Sequence, residues 1–523
     1  MDKEIRSCEE NETWVVVPRP AHGVPVIDVK WVYRIKLDEF GSEDKLKSRI
    51  TPKGYMQVRG IDYFEIFAPT VRYKTLRILL SLVVEWDYEL VQLDVNSAFL
   101  KADIKEDVYC EIPEGYTAGA TDGGQRDYVL KLRKALYGIH QAPREWYLLV
   151  RDFITKEMGM IQCTSDPCLF WTRTCADRRI LMVMFVDDYQ AAYDKRDLEE
   201  WLALKVKFTK RFATNDIGDS RLMLGMRITR DRENRTLLLD QEVYVKKMLE
   251  RFGMQDCKEI STPEAIGGEL DDERGPYATP ADSEEEAELM DRRPYMQLVG
   301  ALLYATLSTR PDIAHAVHQL TKHTQRPQVR HWQAAKRVLR YLQGTSDIAL
   351  RFGRTEHPRD DHKDANEVMT VSSYADADFA NDKSDRKSVS GWAVKLNGDL
   401  VNWSCKKQST VALSTCEAEL YAEASCIQEV LWLRHLLAEL ELDVQPQSIV
   451  WGDNQSTLQI SENGVIGERT KHIDIKYKFI CENIESDTIK VAYIRTEKQQ
   501  ADIFTKALRH EVFERHRASL MTR

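Results

Sequence analysis

At 523 residues, 43% hydrophobic and 30% charged, the chain has room for about two to four cores, and no apolar run approaches the roughly 18 to 20 residues a bilayer-crossing helix needs. The charged start, MDKEIRSCEENETW, is unlike a secretory leader, and ten cysteines without a CxxC pair exclude a disulfide scaffold and an ordinary zinc site, so the sequence predicts an intracellular protein. A net charge of -10 excludes a uniformly basic nucleic-acid binder, but the sum hides an acidic run over 264–291 and a basic one over 322–340.

In chain order, the first 110 residues alternate β-branched runs with turns. TWVVVP and VKWVYRIKLDEFGS predict strands, TLRILLSLVVEW a helix and YELVQLDV another strand. REWYLLVRDFITKEMG carries apolar residues at helical spacing, whereas RRILMVMFV and YQAAYD predict a hairpin. A second hairpin fits RLMLGMRITRDRENRTLLLDQ, turning near Glu233 and Asn234, and EVYVKKMLERFGM predicts a helix closed by Gly253. The acidic run has the composition of a disordered loop or linker. Residues 295–343 read as helical, 354–369 as a polar tether, and strands return at MTVSSYADADFA and SVSGWAVKLNGDLVNWS. A long amphipathic helix over 415–440, a strand at SIVWGD and a final helix after TEKQQ complete the reading.

MFVDDY places two adjacent carboxylates, Asp187 and Asp188, at a hairpin bend. Like charges about 4 Å apart repel by about 1 kcal/mol in water and about 4 kcal/mol at an effective dielectric near 20. Either the turn is fully solvated or a divalent cation offsets the repulsion. Asp94 ends the apolar strand VQLDV, where a charge is costly unless it is solvated or bound. If that strand neighbours the hairpin, three carboxylates converge, enough to hold two Mg²⁺ for in-line nucleotidyl transfer. Phe99, five positions on, would then face the incoming sugar.

The ordered series KSRITPKGYMQVRGIDYFEIFAPTVRYKTLRILLSLV, VQLDVNSAFLKADIKEDVYCEIPEGY, LRKALYGIHQAPREWY, SDPCLFW and MFVDDY resembles the reverse transcriptase of Ty1/copia-type LTR retrotransposons. That resemblance implies Asp94, Asp187 and Asp188 as polymerase metal ligands, assisted by the Val95 carbonyl, and Phe99 as the gate against a ribose 2′-hydroxyl. It also implies Arg49 and Lys53 as cations on the triphosphate, Gln141 as a nucleotide- or template-positioning residue, and the turn at Leu224 and Gly225 as a primer-holding region. The family usually has Tyr where Phe185 stands, Gly where Ala102 stands and Ala where Pro52 stands. Pro52 alters the backbone just before Lys53.

The latter part repeats the theme. In SSYADADFA, Asp376 and Asp378 alternate with small residues and so share a face. Ser414 and Glu417 fit a capping box, which leaves Glu419 as the ligand candidate on that helix. Asp453 terminates SIVWGD at a strand end, where open α/β sheets place functional groups, and Asp502 lies in QQADIFTKAL. An Asp, Glu, Asp, Asp set is what a two-metal RNA hydrolase needs. YADADFANDKSDRKSVSGW, WSCKKQSTVALSTCEAELYA, WGDNQSTLQI, RTKHIDIKYKFI and TEKQQADIFTK together resemble the RNase H domain of the same family. His472 is read as a packing or nucleic-acid contact and not as a proton shuttle.

The resemblance implies an α+β polymerase hand (fingers, palm, thumb) followed by an α/β RNase H-like domain. Fingers and palm are expected over 1–240, a thumb over 241–350 with the acidic insert, a tether over 351–369, the RNase H-like domain over 370–510 and a tail over 511–523. The implied function is RNA- and DNA-templated DNA synthesis with hydrolysis of RNA in RNA/DNA hybrids. Two Mg²⁺ would serve each site, with Mn²⁺ able to replace them. Partners would be an RNA template, a DNA primer, deoxynucleoside triphosphates and other element-encoded proteins, with no membrane. The chain reads as part of a longer Pol polyprotein or as a shortened genomic copy. Two alternatives stand beside this: a catalytically silent nucleic-acid-binding remnant, and an integrase- or recombinase-like nuclease, against which the polymerase series argues.

Overall fold

The computed structural model describes residues 1–37, 43–116, 127–267, 270, 288, 290–353, 368–463 and 474–523. Most of the acidic insert, most of the tether and His472 lie outside the described residues. The chain packs as two compact units: Met1–Arg72 with Tyr88–Ser220, and Tyr73–Asp87 with Arg221–Arg523.

In the first unit the predicted strand Glu89–Val95 lies inside a six-stranded sheet. Its neighbours are Asp188–Tyr193 on one side and Thr214–Asp219 on the other, both antiparallel. The predicted hairpin is there, Arg179–Phe185 against Asp188–Tyr193, and Leu169–Arg173 extends the sheet outward. Helix Ala142–Asp152 buries Trp146, Tyr147 and Val150 and runs into a five-residue π-helical turn, Phe153–Glu157. Its Trp146 meets Phe212 edge to face, and Phe153, Phe208 and Phe212 close an aromatic layer under the strands. The two-stranded arm Val29–Leu37 and Glu43–Pro52 carries Arg49 and, just beyond it, Lys53. This arm is held by a close backbone approach. A Cβ at Gly138, whose φ of +112 is one that side-chain-bearing residues rarely adopt, would sit 2.5 Å from the Pro52 carbonyl oxygen.

The second unit contains a helical part and a five-stranded mixed sheet. Helices Tyr295–Ser308, Ala314–Thr321 and Val329–Gln343 fulfil the helical reading of 295–343. They are joined by a buried ion pair, Arg310 with Asp312 at 2.8 Å, to which the Tyr341 hydroxyl donates at 2.6 Å. The second predicted hairpin is Met226–Asp231 with Thr236–Asp240, and the turn at Leu224 and Gly225 precedes it. In the sheet, Val371–Asp378 is central. Val389–Leu396 and then Asp399–Lys407 lie antiparallel on one side, and Ser448–Gly452 and then Ile489–Tyr493 lie parallel on the other. This is the α/β RNase H-like arrangement expected, with one strand, Ile489–Tyr493, that the sequence reading did not single out.

Helix Thr415–Glu439 packs on the sheet, but it is not the amphipathic element expected. It buries residues around its circumference, from Glu417 and Ala418 to Leu436 and Leu437, because helices Gln455–Asn463 and Asp474–Glu485 cover it from the other side. Helix Tyr73–Glu85 belongs to this unit as well. Its Arg77 is buried, donates to the carbonyls of Val401, Leu307 and Ser308, and lies over the Trp403 ring at 4.0 Å. Burial lowers the Arg77 guanidinium to about 9.

Candidate active sites

The bend between the hairpin strands is a two-residue loop, Val186 and Asp187, closed by the pair Phe185 and Asp188. Val186 sits at φ +57, which a β-branched residue adopts only under strain. The surrounding structure imposes it. The Trp146 indole N–H donates to the Val186 carbonyl at 2.6 Å and the Tyr189 hydroxyl donates to the same oxygen at 3.3 Å. On the far side of the loop, the Val95 N–H donates to the Asp187 carbonyl at 2.8 Å.

Strand register brings the third carboxylate in, because Asp94 lies directly opposite Asp188, and on its other flank opposite Asn215. Residues so paired stand with Cβ atoms about 4.5 to 5.5 Å apart. All three aspartates are half-buried, and the Asn215 amide donates weakly to Asp94 at 3.5 Å. Val95 itself is buried. The structure therefore gathers Asp94, Val95, Asp187 and Asp188 at one strand end.

Phe99 is buried at the end of the next turn, and its ring meets Tyr137 at 4.6 Å between centroids. The Arg49 guanidinium lies over the same Tyr137 ring, 3.9 Å from its centre. Tyr137 thus joins two predicted residues that are 50 positions apart in sequence, and the sequence reading missed it although it stands in the quoted LRKALYGIHQAPREWY. Burial pushes its phenol up to about 12, with Arg49 opposing and Asp187 reinforcing. Lys53 pairs with Asp28 at 3.0 Å. Gln141 is buried, and its amide is committed within the protein: it donates to the Asp62 carbonyl at 2.8 Å and accepts from Gln57 at 3.0 Å.

The second constellation is tighter. Among the described residues, one group of three potential ligands has its oxygen atoms all within 4.8 Å of one another: Asp376, Glu419 and Asp453. The aspartates of the first site do not meet that distance. Asp376 comes from the central strand, Asp453 follows the carboxyl end of its parallel neighbour Ser448–Gly452, and Glu419 comes from the second turn of helix Thr415–Glu439. The Ser414 hydroxyl caps that helix by accepting from the Glu417 N–H at 3.1 Å. Glu417 reaches back one residue further than a capping box requires, accepting from the Leu413 N–H at 2.6 Å.

Asp502 sits in the short helical turn Gln500–Phe504, which lies down on the sheet. Two residues fix that turn. Gln499, fully buried, donates to the Ala375 carbonyl at 2.9 Å, tying the turn to the Asp376 strand. Gly391 stands opposite Asp376, and a Cβ there would come within 2.6 Å of Thr505 and 2.8 Å of Phe504. The Thr505 hydroxyl donates to Asp376, and the Thr496 hydroxyl donates to Asp453 at 2.8 Å. The Lys506 ammonium lies 2.9 Å from Asp502 and 3.8 Å from Asp376. Gln499, Thr505 and Lys506 were missed in sequence, although they flank Asp502 in TEKQQADIFTK.

Burial, and then the charges of Asp376 and Asp453, hold the Glu419 carboxyl well above its usual range. Burial likewise raises Asp453 and brings Asp502 to about 7, with Asp376 adding to the latter. Carboxylates packed this closely cannot all ionise without a compensating cation. Their hard oxygen donors suit Mg²⁺.

Residues 11–266 match the family described as reverse transcriptase (RNA-dependent DNA polymerase). The chain is 37% identical over 514 residues to the retrovirus-related Pol polyprotein from transposon TNT 1-94 of Nicotiana tabacum, an alignment spanning 98% of this chain and 37% of that protein. It is 34% identical over 517 residues to the Pol polyprotein from transposon RE1 of Arabidopsis thaliana, spanning 98% and 33%. It thus spans about a third of the length of these relatives. Among solved structures, a foamy viral protease-reverse transcriptase in complex with double-stranded DNA matches with a TM-score of 0.46 and 12% identity, over 92% of this chain and 67% of that one.

Proposed function

Because the chain belongs with the Pol polyproteins of Ty1/copia-type transposons and carries their reverse transcriptase domain, we propose that it copies RNA and DNA templates into DNA and hydrolyses the RNA of RNA/DNA hybrids. The observation that carries the polymerase half is the register of Asp94 against Asp188 beside the strained Val186 loop. The Asp376, Glu419 and Asp453 group carries the ribonuclease half. The domain limits given from the sequence are part of this proposal.

At the polymerase site Asp94, Asp187, Asp188 and the Val95 carbonyl would hold Mg²⁺. At the ribonuclease site Asp376, Glu419, Asp453 and Asp502 would do so. Mg²⁺ supplies a lowered pKa for the attacking hydroxyl or water and neutralises charge on the leaving oxygen. The chain's own residues position the reactants. Arg49, held over the Tyr137 ring, would offer its guanidinium to the triphosphate, and Lys53 adds a second cation from the same arm. Phe99, braced by Tyr137, excludes a 2′-hydroxyl by bulk, so that deoxynucleotides are favoured. Gln141 acts through the backbone it ties down around Asp62, fixing the template side of the nucleotide pocket. At the second site Thr505 and Thr496 orient Asp376 and Asp453 by donating to them.

The test is extension of a DNA primer on an RNA template with Mg²⁺ and deoxynucleotides. The unsubstituted chain should extend, and Asp187→Asn should lower extension by at least about 100-fold, the scale of losing a principal charge-stabilising group. Extension unaffected by Asp187→Asn, or none from a well-folded sample, would reject the polymerase assignment and favour a silent remnant.

A further inference from the structure

One charged group at the second site has no part in the chemistry described so far. Lys506 lies one helical turn beyond Asp502, its N–H donating to the Asp502 carbonyl at 3.3 Å, so its side chain folds back over the carboxylates. The ammonium sits 2.9 Å from the Asp502 Oδ1 and 3.8 Å from the Asp376 Oδ2. Both carboxylates are 4% exposed, while Lys506 keeps a 38% exposed path to solvent. The placement is built. Gly391 allows the 501–505 turn to lie against the sheet, and Gln499 pins it there.

The site is therefore divided. Asp376, Glu419 and Asp453 offer oxygens within 4.8 Å of one another, while the edge shared by Asp376 and Asp502 is spanned by the lysine. Asp376 belongs to both sides. A divalent cation on the first side also feels the Lys506 charge, which reaches Glu419 and Asp453 as well as Asp376, but it does not have to displace the ammonium from its contact with Asp502. To bind between Asp376 and Asp502 it has to compete with an ammonium covalently tethered at that edge, and afterwards it would lie beside a like charge unless the lysine swings out along its exposed path.

We propose that Lys506 is a positioning residue that makes the two sides fill in order, the Asp376–Glu419–Asp453 side first and the Asp376–Asp502 edge second and more weakly, so that it sets the divalent-cation concentration at which the ribonuclease site becomes complete. This rests on the ribonuclease reading of the site. Lys506 also keeps Asp502 in place at low cation concentration, since its charge offsets the repulsion between Asp376 and Asp502.

The measurement is Mn²⁺ binding followed by the paramagnetic resonance of the free ion, on the full chain with Asp187→Asn and Asp188→Asn in place so that the polymerase site does not contribute. Parallel samples carry Lys506→Ala, Lys506→Met, Lys506→Arg or Asp502→Asn. The weaker class of sites should be lost in Asp502→Asn, tighten about tenfold in Lys506→Ala and Lys506→Met, and stay unchanged in Lys506→Arg, with the tighter class shifting by a clearly smaller factor in Lys506→Ala and Lys506→Met. The Mg²⁺ concentration giving half-maximal cleavage of an RNA/DNA hybrid should fall by a similar factor in Lys506→Met. Should Lys506→Ala unfold, Lys506→Met keeps the buried stem and decides the matter. Unchanged Mn²⁺ affinity in a folded Lys506→Met protein, or tightening in Lys506→Arg as well, overturns the proposal. Failure of the ribonuclease reading is seen separately, as hybrid left uncut by the unsubstituted chain at every Mg²⁺ concentration.

Discussion

Val186 shows how far a single residue's conformation can be dictated by its neighbours. At φ +57 it accepts a cost of about 1 to 3 kcal/mol, offset by the Trp146 and Tyr189 hydrogen bonds to its carbonyl, and the result is a bend that presents Asp187 and Asp188 to Asp94. The adjacent acids were legible in MFVDDY, but the strain was not, since nothing local to Val186 asks for a left-handed backbone. Asp382 is the clearest titrating group away from the two sites. Burial works against its charge, but hydrogen bonds from Lys322, Lys407 and Ser384 outweigh it and hold the carboxyl far below the usual range. A depressed carboxyl contributes stability that is fully present above the unfolded value, near 4, and is lost as pH falls toward the folded one. Asp382→Asn should cost about 2 to 3 kcal/mol at pH 7, read from denaturation curves, and the gap to the unsubstituted chain should shrink as pH drops below about 4. A gap that stays constant from pH 7 to pH 3 would contradict this reading.

At the scale of elements, strands were the more legible part. VQLDV, RRILMVMFV and SSYADADFA gave their strands because apolar runs bounded by turns have few other solutions. Helix Thr415–Glu439 was found too, but its packing was misjudged: an element covered on several sides does not show a single apolar face. The short turn that delivers Asp502 was legible only as a motif. Its placement depends on Gly391, more than 100 residues earlier, which no local pattern links to it. A methyl group at Gly391 would meet Thr505, Phe504 and the Ala501 carbonyl at 2.6, 2.8 and 3.1 Å, an overpacking that costs about 1 to 3 kcal/mol. Gly391→Ala should therefore lower cleavage of the RNA strand by about tenfold or more while leaving primer extension within about twofold. Equal loss of both activities, or loss of neither, would contradict the role given to this contact.

For the whole molecule, the ordered motifs mark the family, and the acidic residues proposed for the two constellations were legible as charges in or beside apolar strands and near a helix start. What the order could not convey is the division into units. Helix Tyr73–Glu85 packs with the second unit, whereas strand Glu89–Val95, only a few residues later, belongs to the first. The helix is buried from Thr75 through Val84 without interruption, Arg77 included, and an element buried on every side takes its neighbours from distant parts of the chain. The central claim is that one chain carries two separate carboxylate centres, one for synthesis and one for hydrolysis. It is tested most directly by following both reactions in one tube, on a DNA primer annealed to a labelled RNA template, with Asp187→Asn and Asp376→Asn compared against the unsubstituted chain. The account predicts crossed outcomes: Asp187→Asn stops extension and still cuts RNA, and Asp376→Asn extends and no longer cuts. Joint loss of both activities in either folded variant, or retention of both, would contradict it.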